Sequence, residues 1–156
     1  MKNNHMTEKK PLPAGRQEKL KKTTTAEKTR YFEAVGRRKT AIARVRLYNR
    51  KGGMTVNEKD YQKYFPIDRL RQMAFSPLEK TKLNNKVEVI AKVFGGGLSS
   101  QAEAVRHGLS RALVLFDSNL KSTIKSLGYL KRDPRMVERK KFGLKKARRA
   151  PQWAKR

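Results

Sequence analysis

Apolar and polar residues alternate along two stretches of the chain, residues 41–48 and 87–94. Successive side chains of a strand point to opposite faces, so this pattern predicts two half-buried strands. The other face of the first strand carries Arg44 and Arg46 and is therefore basic. The apolar face consists of Ala43, Val45 and Leu47 in the first strand and of Val87, Val89, Ala91 and Val93 in the second.

Two shorter extended segments flank the first strand. Residues 31–35 form an aromatic and β-branched run that ends at Gly36, and residues 54–56 follow the turn-rich residues 49–53. Because turn residues join two extended runs, we expect 41–48 and 54–56 to pair as a hairpin.

Helical spacing appears in the segments between and after these strands. Asn57 is suited to cap a short helix, which must end before Pro66 because the residue before proline avoids the α region. A second helix should end at Ser76–Pro77. Its apolar residues are Ile67, Leu70, Met73 and Ala74.

The strongest helical pattern follows three consecutive glycines. Ser100 and Glu103 have the spacing of a capping box at its start. A last helix is closed by Gly128, a suitable C-cap. The two apolar stripes are Ala102, Val105, Leu109, Ala112, Leu113 and Phe116, and then Leu120, Ile124 and Leu127. The patterns together predict one α+β domain over residues 31–130.

Charge adds two tails to this domain. The chain has 156 residues, 40 Lys and Arg and 13 Asp and Glu, so its formal charge is 40 − 13 = +27. Residues 1–30 hold 9 basic and 3 acidic residues, and residues 131–156 hold 12 and 2. Both tails are too poor in apolar residues for a core, so we expect a disordered N-terminal arm and a C-terminal tail that orders against a polyanion.

Composition excludes several classes of function. There is no Cys, and only two His residues occur, so no metal site and no cofactor are expected. No carboxylate pair or nucleophile–base constellation is identifiable, and we expect no enzyme. The first 30 residues lack the apolar run of a secretory signal, and their three Glu fit a transit peptide poorly. No apolar run approaches the ~18 residues of a membrane span.

The glycine triplet leaves two interpretations open. Gly95, Gly96 and Gly97, followed by Ser99 and Gln101, lie between a strand and a helix and could cradle a phosphate at the helix N-terminus. The same glycines also suit a simple tight turn. The loop somewhat resembles that of small-metabolite kinases of the galactokinase type, but no Gly-Lys-Ser/Thr follows it.

The candidates for phosphate contact are clustered basic residues, of which Arg37, Arg38 and Lys39 have no acid nearby in the sequence. They occur beside Gly36, on the first alternating strand, on the long helix and throughout the C-terminal tail. His107 on the long helix is either a packed residue or an RNA-stacking residue. Trp153 either stacks on a base or docks on the protein itself. The candidates are Arg37, Arg38, Lys39, Arg44, Arg46, Arg106, His107, Arg111, Lys131, Arg132, Arg135, Arg139, Lys140, Lys141, Lys145, Lys146, Arg148 and Arg149.

Several of these blocks, in this order, resemble one family: the bacterial type of the ninth protein of the small ribosomal subunit, the S-nine family. The resemblance covers residues 31–156. It rests on residues 36–45 (GRRKTAIARV), 95–97 (GGG), 101–102 (QA), 104–113 (AVRHGLSRAL), 132–135 (RDPR), 138–141 (ERKK), 145–149 (KKARR) and 155–156 (KR).

The resemblance implies a four-stranded sheet with packed helices and an uncommon left-handed βαβ crossover. It also implies a structural role in the cytoplasmic ribosome, in the head of the small subunit, with ribosomal RNA and neighbouring head proteins as partners. The C-terminal tail would thread through RNA, and Lys155 and Arg156 would approach the anticodon stem-loop of the peptidyl-site transfer RNA. Neither a membrane nor a small-molecule substrate is expected.

The chain departs from the family pattern at four positions. The family usually has Gly at Ser100, a small residue or Asp at Glu103, Phe or Tyr at Trp153 and Ser at Ala154. Ser100 and Glu103 affect how closely RNA can approach the glycine loop, and Ala154 lacks a hydroxyl that could contact phosphate.

Two rival functions remain from the residues alone. The glycine loop would suit a small-molecule kinase, although no acid or base is identifiable beside it. Charge alone would suit a DNA-compacting or membrane-active basic protein, which gives no reason for the ordered motifs.

Overall fold

The computed structural model describes residues 30–155. The N-terminal arm, apart from Arg30, and the terminal Arg156 lie outside the described residues. Strands and helices occupy residues 31–126. They are β1 (Tyr31–Arg38), β2 (Ala41–Tyr48), β3 (Met54–Val56), β4 (Lys59–Asp60), α1 (Tyr61–Tyr64), α2 (Asp68–Thr81), β5 (Glu88–Phe94), α3 (Leu98–Phe116) and α4 (Leu120–Ser126).

These elements form one sheet with helices packed on it, which confirms the α+β prediction. The strand order is β1-β2-β5-β3-β4, and only β3 and β5 are parallel neighbours. The sheet has five strands rather than the expected four because the two residues of β4 fold back on β3. The chain between β3 and β5 contains α1 and α2 and makes a βαβ crossover, whose left hand stays a prediction of the resemblance.

The predicted hairpin between β2 and β3 is wrong. β2 pairs with β1 on one side and β5 on the other, so β5 lies between β2 and β3. The β2–β5 ladder joins seven residue pairs, whereas β3 has only three residues to offer. The longer ladder satisfies more backbone groups and buries a longer apolar face, so a distant strand displaces the near one.

One face of the sheet carries the core. The predicted apolar faces of β2 and β5 are confirmed, since each of their side chains is buried. α3 packs on this face, where β1 and α3 cross at Gly36 and Gly108. A Cβ at Gly36 would lie 1.9 Å from the carbonyl oxygen of Ala104, so the crossing requires glycine. The opposite face is open, with Ile42 and Phe94 44% and 64% exposed.

Asn57 does not cap α1, in contrast to the prediction from sequence. It lies in the β3–β4 turn with φ of 47°, and its side-chain amide exchanges hydrogen bonds of 3.0 and 2.8 Å with the backbone of Val93. Asp60 caps α1 instead, by accepting a 2.9 Å hydrogen bond from the backbone N–H of Gln62. α1 does end before Pro66, as predicted.

The predicted end of α2 at Ser76–Pro77 is also wrong, because the helix runs on to Thr81. Pro77 has no N–H for the carbonyl of Met73, four residues earlier. The Ser76 hydroxyl donates to that carbonyl at 3.0 Å, so the acceptor is satisfied and the helix continues.

α3 begins three residues earlier than the capping box placed it. Gly97 is its N-cap and no side chain caps it, while Ser100 is buried inside the first turn. Its predicted apolar stripe is buried, apart from half-buried Phe116. Gly128, with φ of 73°, closes α4 as predicted, and the amides of Gly128 and Tyr129 bond back to Lys125 and Ile124.

Candidate nucleic-acid interface

The β1–β2 turn and the glycine loop lie at the same end of the sheet. Ile42 at the start of β2 pairs with Phe94 at the end of β5. A Cβ at Gly95 would lie 2.8 Å from the carbonyl oxygen of Thr40, so the two loops touch. Gly95 and Gly96 have φ of 70° and 64°, a region that other residues rarely adopt. The triplet therefore does form a tight turn between strand and helix.

The same turn exposes the N-terminus of α3. Its first turn has neither a capping side chain nor an acid, and Ser99 is exposed there. Gln101 braces the loop: its Nε2 donates to the carbonyl of Gly95 at 3.1 Å, and its Oε1 accepts from the Tyr64 hydroxyl at 2.9 Å. Free amides and the helix dipole favour an anion at such an end.

The three cations of the β1–β2 turn differ sharply in exposure. Arg37 and Lys39 are exposed, whereas Arg38 is only 9% exposed. Each of the three guanidinium nitrogens of Arg38 has an acceptor inside the protein. The sequence predicts Arg38 among the phosphate-binding cations, and in the structure its guanidinium is engaged by the protein itself.

Arg44 and Arg46 project from the open face of the sheet, as predicted. Both donate to Glu33, Arg46 at 2.8 Å, and the two guanidinium groups lower the pKa of that carboxyl, Arg44 more than Arg46. Arg46 also lies over the ring of Tyr31, with 5.0 Å between its Cζ and the ring centroid. The pairing fixes the two guanidinium groups side by side while part of each stays open to solvent.

The three candidates on α3 hold neighbouring segments. Arg106 lies over the ring of Tyr129 at 5.1 Å, and Arg111 donates to the carbonyl of Val35 at 2.6 Å. His107 accepts a 3.2 Å hydrogen bond on Nδ1 from the backbone N–H of Arg37. Burial, and then the charge of Arg111, lower the pKa of His107. A half-buried, neutral acceptor is a packed histidine, so the structure favours this interpretation over RNA stacking.

The C-terminal tail leaves the domain after α4. Within residues 127–155 there is no helix or strand. We call residues 129–135 the tail root, because side chains of β1 and α3 contact them. Glu138 pairs with Lys141 and Arg148 at 3.0 and 2.9 Å. The exposed tail cations are Lys131, Arg132, Arg135, Arg139, Lys140, Lys141, Lys145, Lys146, Arg148, Arg149 and Lys155.

Four large apolar side chains of the tail are also exposed. Met136 is 55%, Val137 89%, Phe142 100% and Trp153 80% exposed. Trp153 therefore does not dock on the described part of the protein, which leaves the stacking interpretation as its prediction. Exposed aromatic groups among cations suit contact with unpaired bases.

Sequence reasoning missed the two acids of this region. Glu103 was predicted to be part of a helix cap and Asp133 only part of the 132–135 motif, yet both bind Arg38. The alternation of side chains along β1 could have revealed them. Arg38 lies an even number of residues from Ala34 and Gly36, so its side chain points to the buried face. A cation buried there requires acidic partners.

Among residues 30–155, no cluster of His, Cys, Asp and Glu could hold a metal ion. In the same residues, no helix is long and apolar enough to cross a membrane.

A small basic domain with an uncapped helix N-terminus at one end and an exposed cationic tail is typical of a protein built into a ribonucleoprotein particle. The family model described as Ribosomal protein S9/S16 matches residues 36–156, and the chain belongs to this family. It is therefore a ribosomal protein, a structural constituent of the small subunit. Its partners are ribosomal RNA and other ribosomal proteins, and its process is translation.

Proposed function

We propose that this chain binds small-subunit ribosomal RNA in the head of the cytoplasmic ribosome, beside neighbouring head proteins. The contacts are made by the exposed turn and glycine loop, by the open sheet face and by the C-terminal tail. Lys155 and Arg156 at the end of the tail reach the peptidyl-site transfer RNA. Arg156 lies outside the described residues, and its role comes from the resemblance.

One observation carries the RNA-binding proposal: three phosphate-binding features converge at one end of the domain. The glycine loop touches the β1–β2 turn, and Arg38 at the edge of that turn binds the tail root. Arg37, Lys39 and the N-terminus of α3 thus adjoin the origin of the tail. A single RNA surface could contact all of them, which gives the tail a defined starting point on the RNA.

The proposed functions divide the chain into three segments. We propose an N-terminal extension over residues 1–30, a globular RNA-docking domain over 31–130 and an RNA-threading tail over 131–156. The tail neutralises phosphates that would repel one another when packed closely. If it makes ~6–10 phosphate contacts, affinity should fall roughly 10³–10⁵-fold between about 50 and 200 mM salt.

Sedimentation of cell lysate tests the proposal. The tagged chain should migrate with small subunits at moderate magnesium and remain there after a high-salt wash, because a protein integrated at many contacts dissociates slowly. A chain found only in soluble or DNA-bound fractions would overturn the proposal.

The role of the tail end needs its own test. Deleting Lys155 and Arg156 should leave subunit incorporation intact and weaken transfer RNA binding at the peptidyl site. The matched control is Lys121→Gln with Lys125→Gln, which removes two exposed charges from α4. Loss of incorporation in the deletion would assign the two residues to assembly instead.

A further inference from the structure

Arg38 is surrounded by acceptors from two different parts of the chain. Its Nε donates to Glu103 of α3 at 2.6 Å, and its Nη2 lies 3.0 Å from the carboxylate of Asp133 in the tail root. Its Nη1 donates to the carbonyl oxygen of Arg135. One buried guanidinium therefore joins β1, α3 and the tail root.

These acceptors offset the unfavourable free energy of burying a cation. An unpaired buried guanidinium is strongly unfavourable, whereas one with an acceptor on every nitrogen is tolerated. The two carboxylates are 23% and 27% exposed, so solvent screens them only in part. Arg135 adds to the cluster by binding Asp133 at 2.9 Å, and this interaction lowers the pKa of Asp133 to about 2.

Further contacts hold the same segment. The guanidinium of Arg106 lies over the ring of Tyr129. His107, which lies beside Leu130, accepts a hydrogen bond from the backbone N–H of Arg37. The tail root is thus held by α3 at its beginning and by Arg38 at its end. Beyond Arg135, tail side chains such as Val137 and Phe142 are fully or almost fully exposed.

We propose that Arg38, with Glu103 and Asp133, is a positioning clasp that sets the direction in which the tail leaves the domain. Arg38 itself contacts no RNA. The proposal rests on the proposed function, since the tail must reach RNA for its direction to matter. A tail root that is ordered before binding loses less conformational entropy when RNA is bound, so the clasp strengthens binding without touching the RNA.

Two variants with the same change of charge separate positioning from electrostatics. Asp133→Ala removes the tail side of the clasp, and Glu138→Ala removes an acid that binds only tail cations. Each raises the net charge by one. Charge alone would strengthen RNA binding equally in both, whereas the clasp predicts opposite effects.

The first readout is made on the free full-length protein. In ¹⁵N relaxation measurements, residues 131–135 should become more mobile in Asp133→Ala and stay as ordered as in the wild type in Glu138→Ala. The melting temperature of the domain should stay unchanged in Glu138→Ala. It should fall only slightly in Asp133→Ala, because Arg38 keeps Glu103 and a released tail root opens its Nη2 to water. Equal order of these residues in all three proteins would overturn the clasp.

The second readout is affinity for small-subunit ribosomal RNA at fixed salt. Asp133→Ala should bind on the order of tenfold more weakly, equivalent to ordering about one further residue on binding. Glu138→Ala should bind as tightly as the wild type or more tightly. Equal tightening in both would overturn the clasp. Wild-type protein that fails to bind this RNA would contradict the proposed function, and the relaxation result would still decide whether the clasp exists.

Discussion

Arg37 and Arg38 are adjacent in the chain and have different tasks because β1 turns their side chains to opposite faces. Arg37 is exposed beside the tail root, and Arg38 is buried among carboxylates. The motif alone presents three equivalent cations. Only the alternation of the strand distinguishes the cation that holds the protein together from the cations available to RNA.

Gly36 offers a sharp test of the packing at the residue scale. Gly36→Ala should destabilise the domain by about 1–3 kcal/mol or more, because its Cβ would lie 1.9 Å from a backbone oxygen of α3. Gly53→Ala is the matched control, since its Cβ would meet nothing within 4 Å. Urea unfolding measures both. Similar free energies of unfolding for the two variants would contradict the close crossing.

His107 should make stability depend on pH. Its pKa is lowered in the folded protein by burial and by Arg111, and its unfolded value is about 6.5. The unfolded chain then binds more protons, so the free energy of unfolding should fall as pH drops below about 6.5. Urea unfolding at several pH values should show this fall in the wild type. It should be smaller in His107→Gln, and parallel curves for the two proteins would contradict the assignment.

At the scale of elements, α2 shows how a side chain compensates for an internal proline. Ser76→Ala should cost about 1 kcal/mol, because the Met73 carbonyl would lose the hydroxyl at 3.0 Å. In a Pro77→Ala background the new backbone N–H takes that carbonyl, so the same substitution should cost less. Urea unfolding of the wild type, the two single variants and the double variant gives the coupling free energy between Ser76 and Pro77. An equal cost in both backgrounds would exclude this compensation.

The elements also show what sequence could and could not predict. β2, β5 and α3 were predicted because each has a long apolar pattern that neighbouring residues hardly disturb. The pairing of β2 with β5 was not predicted. The turn before β3 is a local signal for a hairpin, whereas β5 lies about 40 residues further along the chain. Asn57 was misassigned for the same reason: its partner, Val93, is 36 residues away.

For the molecule as a whole, the proposed RNA binding should show a salt dependence that follows the tail cations. Replacing Lys145, Lys146, Arg148 and Arg149 by Gln should lower the slope of log affinity against log salt. The reduction should be up to about 0.7–0.9 for each phosphate that the tail no longer neutralises.

A control of equal charge change uses cations of α2, α4 and the turn after α2, which lie outside the proposed surface. It replaces Lys80, Lys82, Lys121 and Lys125 by Gln. Filter binding across a salt series measures both slopes, and the control slope should stay near that of the wild type. An equal reduction in both would mean that the total charge, rather than the tail, governs binding.

The candidate site was predictable in outline at this scale. Exposed cations in the tail need no fold to be recognised, so composition was sufficient for them. The convergence of loop, turn and tail root depends on strand order and on Arg38, and both arise from interactions between distant residues.

The open sheet face has a consequence for supply in the cell. Ile42 and Phe94 pair across β2 and β5, and no helix of residues 30–155 covers them. A copy without its ribosomal partners therefore presents exposed apolar surface beside Arg44 and Arg46. We expect such copies to associate with one another or with other nucleic acids. We therefore expect synthesis of the chain to be matched to synthesis of ribosomal RNA, with surplus protein left to chaperones and proteases.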